Sequence, residues 1–228
     1  MRRPRQPSDE RVARAEQKQL TRQALLAAAL ELLAERSFDG LSLREVTRQA
    51  GVVPTAFYRH FESMEELGLV LVDDAFRTMR RLMRTVREGP IPPSQAIRRS
   101  VETFVQYVLA HRPHFTFLLR ERFGGSTPIR NAIRAGIRLF VTDLAADLAS
   151  VTEAAGWTQE DLQMLAGLLV STVVTATEQV IEIATSPAGV EEVVQDTERQ
   201  LRLIVLGAMQ WRSSPRPDLD TGKAPTRL

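Results

Sequence analysis

The stretch from Leu41 to Phe61, LSLREVTRQAGVVPTAFYRHF, leaves the chain few folds to choose from. Ser42 stands three residues before Glu45. At that spacing a serine hydroxyl caps the first turn of a helix and the glutamate reaches back to the serine N–H. Leu41 and Val46 hold the two positions of a hydrophobic staple across the same start. The helix is predicted to run to Ala50, where Gly51 supplies the left-handed residue that ends it. Val52 and Val53 cross over. Pro54 fits the first position of a second helix, where a missing N–H is tolerated, and that helix is predicted to span Pro54 to Phe61. Two short helices joined by a Gly-containing turn make a helix-turn-helix.

The faces of the two helices sharpen this reading. Val46 and Ala50 share one side of the first, Phe57 and Phe61 one side of the second, and Val52 lies between, so these five close a small core. Thr55 and Arg59, four apart, point the other way, with Ala56 and Tyr58 beside them. A recognition helix in a major groove needs such a surface: an arginine that forks onto a guanine edge, and methyl groups for thymine. Ser42, Thr47, Arg48, Tyr58 and His60 suit phosphate oxygens, which position a protein without reading sequence. Arg44 and Pro54 complete the expected DNA-contact set. The competing reading is a solvated helical hairpin in a helical protein that binds partner proteins rather than DNA.

Charge follows the same division. Residues 1–60 hold eleven Lys/Arg against seven Asp/Glu, while the remainder holds nineteen against twenty-one. The positive end coincides with the helix-turn-helix, where phosphate attraction is wanted. The 228 residues contain no cysteine, which excludes a disulfide framework and thiolate metal ligands and fits a cytoplasmic protein. The N-terminal MRRPRQPSDER lacks the apolar core of a signal peptide. The longest charge-free run, Leu162 to Thr177, is sixteen residues, short of the roughly 20 a bilayer span requires, so no membrane association is expected. His111 and His114 lack the further ligands of a metal site, and residues 124–126 (GGS) match neither a phosphate loop nor a nucleophile elbow. Neither an enzyme nor a cofactor nor a metal is expected.

The pattern along the chain is helical, with no persuasive strand alternation, which predicts an all-α protein. Residues 1–16 are expected to form a basic disordered arm, either reaching along the duplex or serving only as an unstructured tail. A DNA-binding head of three helices follows over 17–62, its first helix at Gln17 to Arg36 covering the helix-turn-helix core. Ser63-Met64-Glu65-Glu66 opens a long helix to about Arg87, the natural lever between head and body, and residues 88–93 (EGPIPP) break it. Helices are predicted over Ser94–Ala110, Pro113–Phe123, Pro128–Ala155, Leu162–Ala184 and Val190–Trp211. They build an effector-binding and dimerisation domain over 63–212, and a disordered tail over 213–228 closes the chain. Met79, Met83, Phe104, Phe115, Phe117, Leu118 and Phe140 lie on helices that must face one another. Helix bundles place ligand cavities there, and methionine adapts to irregular ligands; ordinary core packing is the alternative.

Glu35 to Leu71, ERSFDGLSLREVTRQAGVVPTAFYRHFESMEELGLVL, resembles the DNA-binding domain of the TetR family of bacterial repressors, FYRHF followed by EEL being the most specific mark. Within that family SLREV, PTAFYRHF and EELGL, with RLMR at 81–84 and LLRER at 118–122, are similar to repressors of unsaturated fatty-acid biosynthesis. The resemblance implies a homodimer on a palindromic double-stranded DNA operator. The last two long helices would pack against their copies, with Leu165, Leu169, Val173, Leu201 and Ile204 at the interface. It implies a long-chain acyl-CoA as the apolar effector, with Arg120 and Arg122 meeting its charged end or else bracing head against body. A repressor of a drug-efflux or other operon, sensing another small molecule, keeps the same fold.

Overall fold

Local punctuation in the sequence becomes helix boundaries in the computed structural model, which describes residues 7–88, 93–150 and 156–212. The described residues form nine α-helices and no strand. The head holds α1 (Pro7–Leu33), a 3-10 turn (Phe38–Gly40), α2 (Leu43–Gln49) and α3 (Pro54–Phe57). α4 (Met64–Glu88) leads into the body, which comprises α5 (Pro93–Ala110), α6 (Arg112–Glu121), α7 (Thr127–Ala149), α8 (Gln159–Glu182) and α9 (Pro187–Gln210). Ser63 caps α4 through its Oγ, which accepts from Glu66 N at 3.1 Å. Thr158 does the same for α8 by accepting from Asp161 N, and Ser186 for α9 by accepting from Gly189 N.

α1 begins at Pro7, so residues 7–16 are helical rather than an irregular arm. The reason is composition: from Glu10 to Leu20 every residue but Val12 is a good helix former. Residues 1–6 and the tail from 213 lie outside the described residues, as do 151–155, the expected end of α7, which closes at Ser150.

The head and the body share one core. Leu25, Ala29 and Leu33 of α1, Val46 of α2, and Phe57 and Phe61 pack with Leu67, Leu71 and Phe76 of α4. The same cluster continues into Phe117 and Leu118 of α6 and Ile129 and Ile133 of α7. Phe38, from the 3-10 turn, sits where the two parts meet, its ring centroid 6.4 Å from that of Phe117. A second cluster lies deeper in the body, where Val101, Phe104, Val105 and Val108 of α5 meet Phe115 of α6, Ala176 and Val180 of α8, and Val193, Val194 and Leu201 of α9. Met79 of α4 packs against both clusters. Phe115 and Phe117, two residues apart on α6, belong one to each.

Polar bonds lock the same joint. Arg120 donates through Nη1 to Leu33 O at 3.1 Å and Arg36 O at 2.7 Å, meeting carbonyls that the end of α1 leaves without helical partners. Neighbouring Glu121 is 1% exposed and accepts from Phe38 N at 2.8 Å. A Cβ on Gly124 would collide with that carboxylate, and one on Gly125 with the Asp39 carboxylate. The loop after α6 thus lies against the turn before α2.

α8 is a 24-residue helix long and apolar enough to cross a membrane by length and composition, with 28% of its apolar window buried. The sixteen-residue charge-free run understated it. It packs between α7 and α9, with Glu160 and Asp161 at its start and Glu178 and Glu182 near its end.

Gly68 on α4 offers a direct check of the joint, since an added Cβ would lie 2.6 Å from Ile129 Cδ1 and 2.7 Å from Phe38 Cε2. Overpacking of this kind costs about 1–3 kcal/mol, partly offset by the gain in helix propensity. Gly68→Ala is therefore expected to lower the urea midpoint with an unchanged m-value.

Candidate nucleic-acid interface

The capping box of α2 forms in full. Ser42 Oγ accepts from Glu45 N at 3.3 Å, and Glu45 Oε2 accepts from Ser42 N at 3.1 Å. Arg36 then donates to Glu45 Oε1 at 2.7 Å, tying the end of the first helix to the start of the second. The Ser42 hydroxyl is the largest influence holding the Glu45 carboxyl below its usual range, with Arg36 next. Gly51 adopts φ +67°, the left-handed conformation that ends α2, and Pro54 opens α3.

α3 is shorter than predicted. Regular α-helix stops at Phe57, and the chain goes on to Phe61 as a tightened turn in which Arg59 N donates to Ala56 O and His60 N to Phe57 O. The expected facing survives this change. Phe57 and Phe61 are buried with ring centroids 5.5 Å apart, while Pro54, Thr55, Tyr58 and Arg59 are exposed. Ala56 is half-buried. Tyr58, 64% exposed, stands edge-on to Phe57, its ring braced from behind. The outward ridge of Thr55 and Arg59 is backed by two phenylalanines that leave it little freedom to turn inward.

The remaining expected contacts divide. Ser42, Arg44 and Arg48 are exposed. Thr47 is a correction: it is 1% exposed, and its hydroxyl donates back to Leu43 O at 2.9 Å and Arg44 O at 3.2 Å. Next to Val46 on the inner side of α2, it serves the core and has no surface to offer a phosphate.

Two residues absent from the expected set lie beside the end of this segment. The Arg22 guanidinium lies 5.0 Å over the Phe61 ring. Lys18, one turn earlier on α1, acts with Arg22 and Arg59 on the His60 imidazole. Burial is the largest influence lowering the His60 pKa, and these three cations lower it further. His60 Nδ1 is buried without a hydrogen-bond partner among the described residues. The sequence signal for Lys18 and Arg22 was their position on the core-facing stripe of α1, which is apolar only from Leu25 onward.

The expected effector residues do not gather at one site. Met79, Met83, Phe104 and Phe115 meet in the body core, where Phe104 and Phe115 stand edge-to-face at 6.1 Å. Phe117, Leu118 and Arg120 instead form the head–body joint, and Phe140 is half-buried on α7. An open cleft of about 520 Å³ between α5 and the α8–α9 turn is lined by Glu102, Gln106, Leu109, Pro187, Val190 and Glu191, among others, and by none of these eight. Of the expected dimer residues, Leu201 is buried in the chain's own core, Leu169 and Val173 pack against it, and Leu165 and Ile204 are half-buried. The large exposed apolar side chains of α8 and α9 are Met164, Leu168, Leu203, Leu206 and Met209. α8 is apolar nearly all round, so periodicity alone could not choose its outer face.

Comparison with known proteins agrees with this geometry. The family model described as "Bacterial regulatory proteins, tetR family" matches residues 25–69, and "Tetracyclin repressor-like, C-terminal domain" matches residues 93–207. Among solved structures, a transcriptional regulator from Rhodococcus sp. RHA1 is 23% identical with a TM-score of 0.64, covering 82% of this chain and 96% of its own. The fatty acid degradation regulator FadR from Bacillus halodurans is 15% identical with a TM-score of 0.66, covering 84% and 97%. Reduced NemR from E. coli is 24% identical with a TM-score of 0.58, covering 78% and 96%.

Because the folded state holds His60 below its ordinary pKa of 6.5, the unfolded chain binds more protons between the two values. Stability contributed at this site is complete above pH 6.5 and is lost as pH falls through that window. His114, also lowered chiefly by burial, acts with the same sign. His60→Gln is expected to reduce the fall in melting temperature between neutral and mildly acidic buffer, with the His114 part of the slope remaining.

Proposed function

This chain belongs to the tetR family of bacterial regulatory proteins and is a transcriptional regulator with a helix-turn-helix DNA-binding head; we propose that it is a cytoplasmic homodimeric repressor of lipid-metabolism genes, released or tightened on its operator by a long-chain acyl-CoA. The observation that carries the DNA contact is the exposed ridge of Thr55 and Arg59, held outward by buried Phe57 and Phe61. Arg59 reads a base edge and Thr55 offers its methyl, while Ser42, Arg44, Arg48, Tyr58 and His60 hold phosphates.

The dimer forms through α8 and α9. Met164 and Leu168 on one helix, and Leu203, Leu206 and Met209 on the other, are a large apolar surface to leave in water. Gly167 and Gly207 have open space beside them, which permits a second backbone to approach closely. Two heads related by a twofold axis then meet an inverted repeat.

The effector enters the seam between the two cores. Met79 touches both clusters, and Met83 borders the inner one. An acyl chain that displaces these adaptable side chains presses on Phe115, and α6 carries that displacement to Phe117, Arg120 and Glu121 at the joint. Support for an acyl effector comes from the SLREV, PTAFYRHF and LLRER segments and from a regulator of fatty acid degradation among the fold relatives. Tenfold regulation asks for only about 1.4 kcal/mol of coupling between effector and DNA.

Arg59→Ala is expected to cost about 1–3 kcal/mol of operator binding and to relax the preference at one base pair; an unchanged isotherm refutes the recognition-ridge assignment. Leu206→Glu is expected to shift the protein to monomer in sedimentation and to abolish cooperative operator binding. Thermal shift should rise with long-chain acyl-CoA and stay flat with aromatic cations; the opposite order favours a drug-responsive repressor.

A further inference from the structure

Phe123 is the most exposed large apolar side chain among the described residues, at 74%. It follows the end of α6, two residues beyond the Glu121 carboxylate that accepts from Phe38 N in the head. The backbone there is held from two sides. Glu121 leaves no room for a Cβ on Gly124, and Arg130 donates to the carbonyls of Gly124 and Gly125. Arg122 reaches Glu178 of α8 at 2.8 Å and lays its guanidinium 4.6 Å over the Phe123 ring. An aromatic ring is thus fixed in place with most of its surface left in water, where it gains nothing from burial.

The position of that ring points to what covers it. Exposed residues of α8 recur at three- and four-residue spacing as Met164, Leu168, Ser171, Thr175 and Gln179. Glu178, three residues past Thr175, stands at the edge of this stripe. α8 and α9 are joined by only four residues and pack as a hairpin. The apolar start of the α8 stripe therefore lies beside Leu203, Leu206 and Met209 near the end of α9. That end is remote from the head. α7 meets the head core with Ile129 and Ile133 near its start, and meets Leu162 and Ala166 of α8 near its finish, at Ala145. A twofold contact through the remote end alone would lack apolar closure next to the heads, because the stripe turns polar there. Phe123, tied to Glu178 through Arg122, supplies the missing apolar group at that end.

We infer that Phe123 is a dimer contact in its own right, its ring packing against a second copy of this chain at the head-proximal end of α8. The inference rests on the homodimer reading above and adds to it a residue outside the last two helices. A ring already fixed in place loses little freedom when it is covered, which suits it to anchor an interface. Standing two residues from the bond to Phe38, it also bears on how far apart the two heads are held.

The chain has no cysteine, so a single introduced thiol reports on a single place. Phe123→Cys and Val53→Cys, the latter exposed on the head, are labelled with a maleimide without DNA, at a concentration where sedimentation shows each variant to be dimeric. The thiol of Phe123→Cys is expected to react about tenfold more slowly than that of Val53→Cys, a burial worth one decade. In a Leu206→Glu background that sediments as a monomer, the two thiols are expected to react alike. Phe123→Ala is expected to raise the dimer dissociation constant about thirtyfold, the effect of an interface anchor, and to leave the melting curve of the Leu206→Glu monomer unchanged. Equal labelling in a dimeric protein overturns this inference alone, and so does an unaltered dissociation constant for Phe123→Ala. A thiol that stays protected in the monomer also overturns it, since the chain itself then covers the ring. A wild-type protein that sediments as a monomer overturns the homodimer reading and this inference with it.

Discussion

Phe38 is the residue on which the two halves of the molecule agree. Its ring fills the space between Gly68, Ile129 and Phe117, and its N–H is received by a carboxylate that has almost no contact with water. A buried carboxylate is tolerable only when bonded, and Glu121 finds its bond in the head. A turn of three residues therefore fixes where the DNA-binding surface stands relative to the body. Arg120 repeats the lesson with opposite charge, closing the carbonyl end of α1. Hydrophobic area supplies the strength of the joint, and the two polar bonds supply its register.

Much of this was legible from residue order. The capping box at Ser42 and Glu45, the Gly51 turn and the proline starts act locally, over three or four residues, so the sequence displays them directly. The outward ridge was equally readable, because a stripe of Phe57 and Phe61 at four-residue spacing leaves one side for Thr55 and Arg59. Failures came where the deciding contact was remote. Thr47 is the exception: Leu43 and Ala50, four before and three after it, already put it on the core face, and only its hydroxyl, bonded to Leu43 O and Arg44 O, suggests a surface role. α8 offers apolar side chains in every direction, and only α5, α7 and α9 decide that Leu169 and Val173 go inward while Met164 and Leu168 stay out. Phe117 and Phe115 look interchangeable on paper, yet a 200° rotation along α6 sends them into different cores.

The electrostatics divide by the same geometry. In the body, arginines are spent on carboxylates: Arg98 reaches Glu102, Glu191 and Glu198, and Arg122 reaches Glu178. These pairs are partly exposed and each contributes modestly, but together they cross-link α5 to α9 and α6 to α8. Lys18, Arg22 and Arg59, beside the recognition segment, have no such partners among the described residues. Overall charge of +2 conceals this arrangement, since a molecule can be nearly neutral in total and strongly polarised from end to end.

The continuity of the first core also bears on how such a protein can be recombined. A head excised at residue 62 would leave Phe38, Leu25 and Leu33 bare on the side where α4, α6 and α7 had covered them, and would lose both polar clasps. Transplanting this specificity onto a foreign sensor therefore calls for a graft that takes the first three turns of α4 and the final turn of α6 along with the helix-turn-helix. A chimaera spliced at the apparent linker would inherit the reading surface without the socket that aims it.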